Sequence, residues 1–201
     1  MTDVYIVQKL ENNKDIIVNV PGSKSITNRA LMLAALSDGE CNLDGVLFSD
    51  DSRAFLDCLE KLGFQLFIDE NEKRVKVVGT SGKIPNRKAT IDVRSAGTAA
   101  RFLTVMLAVT GGEYTLNSSE QMKKRPMGEI IDLLRNAGVK ISCLEEEGHF
   151  PFIISSNGLD KKEVSINTDT SSQYASALLM AAVMTGLKIK LTGKRVNGAY
   201  I

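Results

Sequence analysis

The chain has 201 residues, 43% of them hydrophobic and 24% charged, enough to bury the core of one large or two small domains. Its 25 Lys and Arg nearly cancel its 24 Asp and Glu, which excludes the electrostatic footprint of a nucleic-acid, membrane-surface or polyanion binder and makes any basic chemistry local. Cys41, Cys58 and Cys143 are far apart without CxxC spacing and predict buried, reduced thiols, while the lone His149 lacks ligand-spaced partners, so no metal is expected.

The opening MTDVYIVQKLENNKD is charged throughout and has neither the apolar centre nor the cleavage site of a secretory signal, which predicts a cytoplasmic protein. A first strand is predicted over IIVNV, Ile16 to Val20, followed by the turn PGSKSITNR, an apolar helix through ALMLAAL and a second strand after SDGE. SDDSRAFLDCLEKLG then reads as an amphipathic helix with Ser49 or Asp50 as its cap, ending at Gly63; Asp50 and Asp51 are read as capping groups, not acid/base groups. A hairpin follows, QLFID with RVKVV.

ATIDV, RSAGTAAR, FLTVMLAV and TGGEYTLNS repeat the strand, turn, helix and strand order. MKKRP reads as a basic loop, and RPMGEIIDLLRNAG as a helix with Pro126 in its first turn and Gly138 at its end. A second hairpin pairs VKISCL with PFIIS across the acidic run Glu145 to Glu147, with His149 solvated at its tip. EVSIN, TDTSSQYAS, ALLMAAVM and TGLKIKLTG begin the order a third time, and the apolar stretch Ala177 to Leu187, too short to span a bilayer, reads as a buried helix.

These segments superimpose in register. Ser25 to Thr98, Glu40 to Glu113 and Leu43 to Leu116 are each 73 residues apart; Thr98 to Gln173, Glu113 to Lys188 and Leu116 to Leu191 are each 75 apart. The expectation is an α/β chain of repeated βαβαββ units, about 16–88, 89–162 and 163–201, with Val18, Ile91 and Ile166 as inner strand positions and the third unit truncated.

In every copy the polar cluster falls between the first strand and the first helix: Ser23-Lys24-Ser25 with Arg29, Ala96-Gly97-Thr98 with Arg101, and Ser171-Ser172-Gln173. Helix starts expose unpaired N–H groups, and small residues there admit an anion to the backbone. Ser and Thr before a helix are also ordinary caps. Three clusters in register, with Lys24, Arg29, Arg101 and Arg125 around them, favour an anion site over capping alone. No paired carboxylates, nucleophile beside a histidine, Walker loop or GxGxxG fingerprint appears.

PGSKSITNRALMLAAL resembles the opening signature of the 5-enolpyruvylshikimate-3-phosphate (EPSP) synthases, as do SAGTAARF, MKKRPMGEIIDLL and SSQYASALLMAA in the same order and spacing. The resemblance runs from Val20 to Ile201. It implies transfer of the enolpyruvyl group from phosphoenolpyruvate to the 5-hydroxyl of shikimate 3-phosphate with release of phosphate, in the shikimate pathway of aromatic amino acid biosynthesis. It implies an inside-out α/β barrel-like domain, no cofactor or metal, and closure of two domains over the substrates. Residues 1–15 would belong with the other domain and 16–201 would form the amino-terminal one.

Carried over by position, Lys24 matches the lysine that contacts both substrates. Ser25, Arg29, Ser171, Ser172, Gln173, Asn197 and Tyr200 match shikimate 3-phosphate ligands, and Gly97, Arg125 and Gln173 the phosphoenolpyruvate side. Ser95 stands where many members have Asn, Phe102 where many have Pro, and Asn197 where a serine is common. Gly97 implies that the inhibitor glyphosate could fit. The family's acid/base residues belong to a carboxyl-terminal half, the expected partner, so this chain alone is expected to be inactive. The related UDP-N-acetylglucosamine enolpyruvyl transferases share the architecture but lack the SKSxxNR and KRP signatures. The alternative from another class is a non-catalytic anion-binding domain.

Overall fold

An extended Ser23, whose Oγ accepts the Ile26 N–H at 3.4 Å, opens helix α1 (Lys24–Leu36). The computed structural model describes residues 17–18, 20–169 and 171–193. After α1 come β1 (Asp38–Asp44), α2 (Asp50–Lys61) and the hairpin β2 (Gln65–Asp69) with β3 (Arg74–Thr80). β3 is the centre of an antiparallel sheet ordered β1-β3-β2, with Leu43 opposite Val75 and Cys41 opposite Val77. Val75 and Val77, alternating along β3, turn their side chains inward and are fully buried, with α1 packed on the strand.

The next elements are β4 (Lys88–Asp92), α3 (Gly97–Thr110), β5 (Gly112–Asn117), a short α4 (Glu120–Lys123), α5 (Gly128–Asn136), β6 (Lys140–Cys143) and β7 (Phe152–Ser156). Their sheet is ordered β4-β5-β7-β6 and is mixed: β4 and β5 run parallel with Ile91 opposite Leu116, whereas β7 is antiparallel to both neighbours. Finally β8 (Glu163–Asn167), α6 (Ser172–Thr185) and β9 (Lys188–Thr192) form a parallel pair with Ile166 opposite Leu191, the crossover helix that a parallel connection requires lying between them.

α1, α3 and α6 pack on one another, so their amino-terminal turns can share one region. α3 is apolar almost all round, and every residue in it except Arg101 and Thr110 is buried, as the innermost helix of a layered α/β chain must be. α2 packs against α1 and α3, and α5 against α3 and β8.

Six expectations need correction. Ile17, Val18 and Val20 are exposed and in no strand; among the described residues β1 has β3 as its one ladder partner, and a segment without such a partner leaves its N–H and C=O groups to water. The cap of α2 is Ser49, in a reciprocal box with Ser52, while Asp50 and Asp51 occupy its first turn, where a carboxylate complements the helix dipole. Pro126 precedes the Met127 cap of α5 instead of lying in the first turn. The run before it is partly helical, because Ser119 Oγ accepts the Met122 N–H and starts α4. His149 is partly buried, with Nδ1 3.1 Å from the Glu147 carbonyl, not free at a tip.

α6 is the sixth. Ala177, Leu178 and Ala181 are buried, but Val183 is 76% exposed, and Leu179 and Met184 also face outward. Leu179 and Val183, four residues apart, share one helix face, whereas Met184, seven residues after the buried Ala177, lies on the other face near the helix end. Val183→Lys is therefore expected to change unfolding free energy by no more than about 0.5 kcal/mol while reducing self-association, with thermal melts and size-exclusion profiles as the measurement.

All three cysteines are free thiols. Cys58 donates weakly to the Asp92 carbonyl at 3.4 Å, and burial pushes its thiol up to about 12, so the folded chain holds it protonated where an unfolded chain releases the proton near 9. Its contribution to stability is thus intact below pH about 9 and declines as pH rises from there towards 12. Disulfide-exchange labelling at pH 8 is expected to modify the half-buried Cys41 and Cys143 and to reach Cys58 only after denaturation.

Candidate anion site at three helix starts

The first wall of the site is the amino terminus of α1. Lys24, its first residue, directs Nζ to Asp51 Oδ2 at 3.3 Å, which ties it to the first turn of α2. One turn on, Arg29 donates to the Ser25 carbonyl at 3.1 Å and to Ser176 Oγ of α6 at 2.9 Å, and its guanidinium lies 5.3 Å from the centroid of the buried Phe102 ring. Desolvation by burial lowers the Arg29 pKa, but guanidinium pKa values lie so high that it remains a cation. Beside Arg29, Asn28 is fully buried and donates to Thr98 Oγ1 at 2.6 Å, joining α1 to α3.

α3 supplies the second wall. Its cap residue is Ala96, which makes no side-chain cap hydrogen bond, so the first N–H groups of α3 have no side-chain acceptor from the cap position. Arg101 Nη1 donates to the Gly97 carbonyl at 2.9 Å. A Cβ built on Gly97 would stand 2.8 Å from Arg125 Nη1 and 2.9 Å from Arg101 Nη1, so two guanidinium groups converge on this one α-carbon. Like charges brought together in this way favour an anion between them. Ser95, whose Oγ is 2.7 Å from Ser119 Oγ, lines an open hollow of ≈ 260 Å³ with Ala96, Asp50, Asp51 and Arg94.

The third wall is α6. Ser171 caps it by accepting the Gln173 N–H at 3.3 Å, and Ser172 is the first helical residue. Gln173 Oε1 is buried with no hydrogen-bond partner among the described residues, an acceptor without its donor. Tyr174 follows, with its hydroxyl on the Pro126 carbonyl at 3.0 Å.

Of the residues singled out from sequence, Lys24, Ser25, Arg29, Gly97, Arg125, Ser171, Ser172 and Gln173 all lie at these helix starts or the loop facing them; Asn197 and Tyr200 lie outside the described residues. Gly97 and Arg125 are brought together directly, and Arg29 is joined to α6 through Ser176. No hydrogen bond or ion pair among the described residues links Lys24 to Arg125. The helix starts differ in capping: Ser23 and Ser171 cap, Ala96 does not. Sequence reasoning missed the Asp51 partner of Lys24, the Asn28–Thr98 and Arg29–Ser176 ties, and Tyr174. The repeat register gives no hint of them, because Asn28–Thr98, Arg29–Ser176 and Tyr174–Pro126 each join one copy to another, and Lys24–Asp51 joins the two helices of the first copy. Among the described residues no group of three or more His, Cys, Asp or Glu could hold a metal ion, and no helix is long and apolar enough to cross a membrane.

These elements define an α/β domain whose inner helices present cations and small polar residues at their amino termini. The chain matches the EPSP synthase (3-phosphoshikimate 1-carboxyvinyltransferase) family over residues 9–200 and belongs to that family. It is 37% identical over 201 residues to the 3-phosphoshikimate 1-carboxyvinyltransferase of Trichormus variabilis, covering 99% of this chain and 47% of that protein. It is 43% identical over 193 residues to that of Neisseria meningitidis serogroup B, covering 94% and 44%. The solved EPSP synthase of Acinetobacter baumannii superimposes with a TM-score of 0.74 at 25% identity, over 83% of this chain and 38% of that one. The chain thus spans about half the length of the curated relatives it matches.

Proposed function

We propose that this chain supplies the shikimate 3-phosphate side of an enolpyruvyl transferase, in which the 5-hydroxyl of shikimate 3-phosphate takes the enolpyruvyl group of phosphoenolpyruvate and phosphate is released. The observation that carries the reading is the convergence of Arg101 and Arg125 on Gly97 at an uncapped helix start, in a chain of the family whose name states this reaction. In this reading Arg125 pairs with an anionic oxygen of phosphoenolpyruvate in the space Gly97 leaves open, and Gln173 lies near the same ligand. Arg29, Ser25, Ser171, Ser172 and Gln173, with Asn197 and Tyr200, hold shikimate 3-phosphate. Lys24 reaches both substrates, and Asp51 pairs with its ammonium until they arrive.

The same reading divides the chain into units of about 16–88, 89–162 and 163–201, with residues 1–15 belonging to a second domain. The two parallel pairs support it: Lys88 opposite Glu113 and Glu163 opposite Lys188 carry one spacing of 25 residues through two different sheets. The acid/base groups come from the other half of the enzyme, which acts as partner, so the chain alone binds without turnover.

Calorimetric titration of the 201-residue chain with shikimate 3-phosphate is expected to give saturable binding at millimolar ligand or below. Arg29→Ala is expected to weaken that binding at least tenfold, about 1.4 kcal/mol, the lower end for a hydrogen bond to a charged group. Absence of saturable heat would overturn the binding assignment. Phosphate release by the purified chain from the two substrates would refute the need for the second half.

A further inference from the structure

Tyr174 has no role so far, although it sits in the first turn of α6 beside Gln173. Its side chain is buried, and it makes two separate contacts with elements on either side of Gly97. Its hydroxyl donates to the carbonyl of Pro126, the residue directly after Arg125, at 3.0 Å. Its ring carries the Arg101 guanidinium over one face, 5.4 Å from the centroid.

The turn that bears Arg125 has few other restraints. Arg125 N–H reaches the Met122 carbonyl at 3.0 Å and Met127 N–H the Gly148 carbonyl at 2.8 Å, but Pro126 has no N–H to give. Its carbonyl is therefore the one main-chain handle at the middle of the turn, and Tyr174 is what holds it. Arg101 is similarly placed: its Nε is buried without an acceptor, so the Gly97 carbonyl and the Tyr174 ring face fix its plane.

We infer that Tyr174 is a positioning residue that fixes the Arg101 and Arg125 guanidinium groups on either side of Gly97, and so sets affinity in the phosphoenolpyruvate subsite without setting that for shikimate 3-phosphate. The naming of the two ligands rests on the function proposed above; the positioning of the arginines does not. A phenol bridges a main-chain turn and a guanidinium with one rigid ring, which places both cations at once. Burial raises the Tyr174 pKa, which keeps the hydroxyl a donor throughout the neutral range.

Tyr174→Phe tests this, since it keeps the ring under Arg101 and deletes the hydroxyl's contacts with the same turn, the bond to the Pro126 carbonyl and the weaker one to Met127 Sδ at 3.8 Å. Amide hydrogen exchange on the ligand-free chain is expected to show Arg125 and Met127 exchanging at least tenfold faster, with the central turns of α3 and α6 unchanged. In calorimetry the phosphoenolpyruvate Kd is expected to rise about tenfold and the shikimate 3-phosphate Kd to change less than twofold. In an Arg125→Lys background, where a flexible point charge replaces the fixed fork, the same substitution is expected to change the phosphoenolpyruvate Kd less than twofold. Unchanged exchange at Arg125 and Met127 would overturn the positioning role. So would equal weakening of both ligands, or a full tenfold effect persisting with Lys at 125. If the unmodified chain binds neither ligand, the proposed function fails, and the exchange experiment still decides whether Tyr174 holds the turn.

Discussion

Gly97→Ala is expected to leave the fold intact and to weaken phosphoenolpyruvate binding by 10- to 100-fold. The new methyl would meet Arg125 Nη1 at 2.8 Å and Arg101 Nη1 at 2.9 Å, closer than a real Cβ approaches any atom, so both guanidinium groups must move. Each is the far end of a flexible side chain, and moving it costs little in the absence of ligand. The backbone at 97 is the first turn of α3, with no left-handed conformation to protect, and alanine there stabilises a helix by roughly 0.5–1 kcal/mol relative to glycine. At about 2–4 °C per kcal/mol for a chain this size, the melting temperature is expected to hold or rise slightly. Binding responds in the opposite direction, because a charge-assisted hydrogen bond to an oxyanion is worth on the order of 1.5–3 kcal/mol and two donors are displaced together. Calorimetry and a thermal melt on the same preparation separate the effects; unchanged affinity would mean that the space beside Gly97 is not where the anion binds.

The elements most legible in the sequence were those whose neighbours lie close along the chain. β2 and β3 are joined by a short turn, and β6 and β7 by an acidic loop; alternation and turn residues are enough to mark such hairpins. α2 was visible from its amphipathic pattern and from Gly63, which adopts the positive φ of 89° that ends the helix. Ile16 to Val20 has an equally good strand pattern, yet Ile17, Val18 and Val20 are exposed outside any ladder. Pattern reports what a segment could bury, and whether a neighbour is there to cover it is a tertiary fact. The outward Leu179, Val183 and Met184 of α6 make the same point, since a continuous apolar run carries no period to tell a covered face from a bare one.

At the site, residue types were legible and their allegiances were not. The three polar clusters announced helix starts, but only the structure separates Ser23 and Ser171, whose hydroxyls are used as caps, from Ala96, which leaves its helix start open. Asp51 reads as one of a pair of capping carboxylates and instead pairs with Lys24, because α1 and α2 pack together and bring their first turns side by side. Nothing in the sequence singles out Tyr174; its side chain is buried, and its hydroxyl reaches across 48 positions to the turn that bears Arg125.

Phe102 is where the core and the site meet, and Phe102→Ala carries the largest expected loss of stability. The ring is fully buried in α3, and truncating a buried phenylalanine costs about 3–5 kcal/mol through lost transfer energy and the cavity left behind. For a chain of this size the melting temperature should fall on the order of 10 °C. The same ring lies 5.3 Å beneath the Arg29 guanidinium, whose pKa burial has already lowered, so its face offsets part of the cost of holding that cation out of water. Phe102→Leu distinguishes the two contributions. Leucine restores most of the volume and should recover most of the stability, but it has no negative face for Arg29, so shikimate 3-phosphate affinity should stay reduced by about threefold to fivefold, the worth of roughly 0.5–1 kcal/mol. If Leu restores affinity and stability together, Phe102 acts on the site only through packing, and Arg29 is held by Ser25 and Ser176 without help from the ring.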